Sequence, residues 1–89
     1  MRRVVAECLG VPPAEGDEAA AEIEQEFLEH RPDHRNVSCT FEHGKLILQA
    51  DNDFDPDGLA LGDEFSDCIS AYVRTPFDGN LRFVSSTAI

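Results

Sequence analysis

Apolar and polar positions alternate along this chain with two different periods, and the switches between them mark six segments. "RRVVAECLGV" carries Val4, Ala6 and Cys8 on one parity and Val5, Leu9 and Val11 on the other. Both parities are mostly apolar, which predicts an internal strand, closed by Pro12 and Pro13. "GDEAAAEIEQEFLEHRP" changes to a helical period, with Ala20, Ile23 and Phe27 on one stripe and Glu22, Glu26 and Glu29 facing water. Asp17 is the expected cap and Pro32 the stop. "NVSCTFEHGKLILQAD" returns to period two and reads as a hairpin turning at "EHGK". That turn sets Phe41 opposite Leu46, Cys39 opposite Leu48 and Val37 opposite Ala50, all on one face, and Gly44 supplies the positive φ it needs.

Leu61, Phe65, Cys68, Ile69, Tyr72 and Val73 then predict a second helix. Pro76 and the pair Asp78-Gly79 predict a turn, and "LRFVSSTAI" predicts a last strand with Leu81 and Phe83 on one face and Arg82 and Val84 on the other. The order βαββαβ is the split-βαβ arrangement of an α+β, ferredoxin-like domain: a four-stranded antiparallel sheet with two helices on one face. The 89 residues suffice for one such domain, 1–89. Such a fold leaves the other sheet face bare. With Val4, Ala6, Cys8, Leu46 and Leu48 toward the helices, the bare face is expected to carry Val5, Leu9, Ile47 and Val84, an apolar patch of the kind that marks a homodimer or partner interface.

Charge narrows the partners. The formal net charge is −11, which repels phosphate backbones and anionic lipid, so neither nucleic acid nor a membrane surface is an expected partner. Central strands rich in valine, leucine and isoleucine also lack the aromatic residues that stack on RNA bases. A hydrophobic fraction of 42% suits a folded soluble domain. The start "MRRVVAECLGVPP" lacks a secretory pattern, so a cytoplasmic location is expected. Cys8, Cys39 and Cys68 are odd in number and widely spaced, and reduced, buried thiols are expected.

Candidate chemistry is sparse. His30, His34 and His43 lie near Cys39 in sequence, a possible borderline-ligand set for zinc, but Pro32 keeps His30 and His34 off a shared helical face. Exposed histidines on a loop and a hairpin tip are expected instead. Ser85 and Ser86 belong to no nucleophile motif, and CxxC, HExxH and phosphate-loop patterns are missing. A non-enzymatic binding role is therefore the leading expectation.

"DFDPDGLALGDE", residues 53–64, carries the alternative. Asp53, Asp55 and Asp57 occupy the first, third and fifth positions, Gly58 the sixth and Glu64 the twelfth. Over these twelve residues the chain resembles the calcium loop of an EF-hand. The resemblance implies carboxylate ligands from Asp53, Asp55, Asp57 and Glu64, with a backbone carbonyl from Leu59. It departs from the pattern in its entering strand, in Ala60 and Leu61, and in having no second loop to pair with. Pro56-Asp57-Gly58 is equally turn chemistry, and Asp57 or Asp63 is placed to cap the next helix. A turn and helix start without a bound cofactor is the expected role, with calcium as the alternative.

Overall fold

The structure is a computed structural model that describes residues 1–77 and 79–89; Asp78, half of the expected Asp78-Gly79 turn, lies outside them. Strand β1 (Arg2–Leu9) is followed by helix α1 (Pro13–His30), the hairpin β2 (Arg35–Glu42) and β3 (Lys45–Asn52), helix α2 (Leu59–Tyr72) and strand β4 (Asn80–Ala88). The strands form one antiparallel sheet in the order β2-β3-β1-β4. This is the α+β, ferredoxin-like architecture, with β1 and β3 at its centre.

Helix α1 starts earlier than expected. Pro12 is its N-cap residue and Pro13 its first helical residue, where a ring-fixed φ favours the helix and the missing N–H removes no bond. Asp17 therefore lies inside the helix, on its exposed side, and caps nothing. The buried stripe is Gly16, Ala19, Ala20, Ile23 and Phe27. Gly16 is required by β2: a Cβ there would collide with the Phe41 ring. The helix ends where the Arg31 N–H donates to the Phe27 carbonyl at 3.1 Å, just before Pro32.

The hairpin pairs Phe41 with Leu46 and Cys39 with Leu48, as its alternation requires. His43 and Gly44 both have positive φ, 51° and 76°, the backbone of a two-residue hairpin turn whose twist matches the strands. The expected third pair, Val37 with Ala50, does not form. Register shifts between Arg35, opposite Asp51, and Ser38, opposite Gln49, with Asn36 at a φ of 50°. A bulge absorbs one extra residue there.

Val4, Ala6, Cys8, Leu46, Leu48 and Ala50 form the sheet side of the core. From the helices, Ile23, Phe27, Leu61 and Phe65 pack on them with no more than a trace of exposure. Cys8, Cys39 and Cys68 are free and buried, and burial, with smaller contributions from Glu24 and Cys68, pushes the Cys39 thiol up to about 12. At neutral pH it behaves as a small hydrophobe.

Candidate functional site

The helix-free side of the sheet is built by strand parity. Arg3, Val5, Glu7 and Leu9 of β1 alternate with the core residues, and pairing sets Asp51, Gln49 and Ile47 of β3 beside the first three. Ile47 is directly opposite Glu7, so Val5 and Leu9 are its two diagonal neighbours, within reach for aliphatic contact. All three aliphatic residues are partly exposed. Val84 is placed differently. Register shifts between Val5, opposite Ser85, and Ala6, opposite Phe83, which leaves Val84 unpaired in a bulge at 48% exposure. The residues of β4 that share the helix-free face by pairing are Asn80, opposite Leu9, Arg82, opposite Glu7, Ser85, opposite Val5, and Thr87, opposite Arg3.

Two ion pairs frame the aliphatic strip. The Arg3 guanidinium bonds both oxygens of Asp51, at 2.9 and 3.1 Å, and Asn36 donates a third bond to Asp51 at 2.9 Å. These hydrogen bonds, the one from Arg3 foremost, hold the Asp51 carboxyl below its ordinary range. On the other side Arg82 Nε bonds Glu7 Oε1, and Glu7 is only 7% exposed although it lies on the bare face. No local pattern signals that these acids are matched in this way, because the partners are 48 and 75 residues apart.

The acidic loop is put to other use. Asp55, not Asp57 or Asp63, caps α2: its two oxygens accept from the backbone N–H groups of Ala60 at 3.1 Å and Leu61 at 2.9 Å. Gly58, at a φ of 71°, makes the left-handed turn that swings this buried carboxylate under the helix end, while Asp57 and Asp63 stay exposed. Glu64 points elsewhere, with Oε2 at 3.2 Å from His34 Nε2 and 3.5 Å from Arg31 Nε. Asp53 and Asp57 are exposed. Among the described residues, no group of three or more histidine, cysteine, aspartate or glutamate side chains converges as a metal would require.

His34 is the clearest correction to the sequence reading. It is buried, not exposed, and its ring lies 5.5 Å from that of Phe27 and 5.4 Å from that of Phe54. Two aromatic neighbours and a carboxylate on a following helix create that site, and no local pattern around "RPDHRN" encodes them. His30 and His43 are exposed, and Cys39 belongs to the core. Ser86 Oγ accepts from Arg2 Nε at 2.7 Å. Among the described residues, no serine or cysteine is hydrogen-bonded to a histidine.

No helix among the described residues is long and apolar enough to cross a membrane. No protein-family model, curated protein or solved structure matches the chain, so the helix-free face and its two framing ion pairs stand as the candidate site on their own chemistry.

Proposed function

We propose that this domain is a non-enzymatic binding module that associates with a second copy of itself through the helix-free sheet face. The observation that carries this reading is the distribution of charge. By strand pairing the face holds Arg3, Arg35, Lys45 and Arg82 against Glu7, Glu42 and Asp51, and so is close to balance. The other three basic residues of the chain are outnumbered by fifteen acids. Two such molecules repel each other over most approaches and meet without that penalty at this face, where Val5, Leu9 and Ile47 offer apolar area. A second copy brings the same near-balance, whereas a strongly charged partner of either sign gains little at a nearly neutral patch.

Four strands of eight or nine residues span roughly 19 by 27 Å, or about 500 Å² on each partner. That lies at the low end for specific interfaces, so the dimer is weak and concentration-dependent. Sedimentation equilibrium over a concentration series tests it. Dimer formation is expected to strengthen with added salt, which screens the acids outside the face. Ile47→Lys is expected to abolish it while the monomer stays folded. A protein that remains monomeric at high concentration and high salt overturns the proposal.

A further inference from the structure

The two edges of the sheet are finished differently. At the β2 edge, the Cys39 backbone N–H donates to Glu24 Oε1 of α1 at 2.9 Å, and Phe41 is covered by the helix at Gly16. Helix α1 thus occupies the space along that edge. Strand β4 has β1 on one side and, among the described residues, no strand on the other. Beside it the space under α2 is open: a hollow of about 320 Å³ and a second of about 280 Å³ lie between α2 and β4 and share Ser66 and Leu81. The helix wall is kept low by Gly62, Ser66 and Ser70, spaced one turn apart. Phe83 is 49% exposed there and Leu59 72%.

An unpaired strand edge has one natural complement, an extended backbone, and a groove beside it gives alternate side chains somewhere to go. We infer that the β4 edge and the α2–β4 groove form a docking site for an extended peptide segment of a partner protein. Its apolar side chains, at every second position, enter the two hollows. The bulge at Val84 ends the regular edge, leaving Asn80–Phe83, so the docked segment is short, roughly 13 Å long. The intervening side chains lie beside Arg82 on the other sheet face and so are uncharged. A basic residue belongs at the end of the segment that meets the second hollow, where exposed Asp57 and Asp63 edge the groove, whereas Arg74 edges the first. A lysine at each end of a probe peptide places one there in either strand direction.

The test is an amide-shift titration of the whole chain with a blocked peptide of sequence Lys-Val-Thr-Val-Thr-Lys. Saturable shifts are expected on Asn80–Phe83 and along the Gly62, Ser66 and Ser70 face, at least tenfold weaker when glutamate replaces the terminal lysines. They are expected to vanish when the peptide backbone is N-methylated, which keeps side chains and charge but removes its donors. Ser66→Trp fills the groove from an exposed helix position and is expected to abolish binding in a folded protein, whereas Ile47→Lys is expected to leave it intact. Equal binding of the N-methylated peptide, or shifts spread over the acidic surface, overturns the inference. So does a peptide-independent dimer that survives Ile47→Lys and is lost in Ser66→Trp, because the edge would then serve a second copy of the chain.

Discussion

Asn52 Nδ2 lies 3.3 Å from His34 Nδ1, and this contact fixes which ring nitrogen carries the proton. The Asn52 amide is held in orientation by its Oδ1, which accepts from the Asp55 N–H at 3.1 Å. Its NH₂ group therefore faces His34 as a donor and Nδ1 accepts, which leaves the ring N–H at Nε2, 3.2 Å from Glu64 Oε2 but not aligned for a hydrogen bond to it. The chain of contacts continues through Glu64 to Arg31, tying the end of α1, the end of β3 and the first turns of α2 together. Nitrogen chemical shifts of the His34 ring are expected to report Nε2–H as the tautomer of the neutral ring. Asn52→Ala removes both the acceptor for Asp55 and the donor for His34 in a buried site, and denaturant unfolding is expected to show a loss of about 1–3 kcal/mol.

Asp55 carries the cap of α2 alone, since Gly58 has no side chain to offer. Asp55→Ala is expected to lower stability by about 1–2 kcal/mol in metal-free buffer. Calcium titration followed by amide shifts separates this role from ion binding. Small, unsaturable shifts spread over the acidic surface are expected, unchanged in Glu64→Gln. Saturable shifts confined to residues 53–64 and lost in Glu64→Gln would instead assign the loop to calcium.

Gly58 is constrained twice. Its φ of 71° disfavours any side chain, and a Cβ there would stand 2.6 Å from Phe83 Cδ1 and 3.2 Å from Val4 Cγ1. Gly58→Ala is expected to destabilise the domain by at least about 1 kcal/mol, measured by denaturant unfolding. Gly44, at a φ of 76° but with no atom within 4 Å of the added Cβ, is the comparison: Gly44→Ala meets the backbone penalty alone.

Acid sensitivity follows from Asp51 and Glu15. Arg3 lowers the first, and the Thr75 and Arg74 groups at the end of α2 lower the second. For a carboxyl lowered on folding, the stabilisation is present above its unfolded-state value and is lost as pH falls through the folded one. The ordinary values are 3.8 for Asp51 and 4.5 for Glu15, so melting temperature is expected to fall on acidification below about pH 4. Protonating the surplus acids relieves repulsion and works in the opposite direction, so the comparison with Asp51→Asn is what isolates the pair. That variant is expected to show a shallower acid-side loss in thermal melts between pH 5 and about pH 2.

Much of the fold was legible because its determinants are local. Hydrophobic period separates the helices from the strands, the "EHGK" turn sets the hairpin register at Phe41–Leu46 and Cys39–Leu48, and parity sends Val4, Ala6, Leu46 and Leu48 to the core. Adjacent residues sufficed for these because a strand or helix repeats its facing every two or 3.6 positions. What the tertiary structure alone decided involves groups distant in sequence or a break in that repeat. Bulges at Asn36 and Val84 shift the parity that the sequence pattern extrapolates. Burial of His34 depends on Phe27, Phe54, Asn52 and Glu64 arriving from four directions. The cap falls to Asp55, among several acids of equal capping propensity, because the Gly58 turn brings its oxygens alone onto the free N–H groups of α2. Propensity ranks residue types, but only the folded path of the chain measures which carboxylate is 3 Å from a donor.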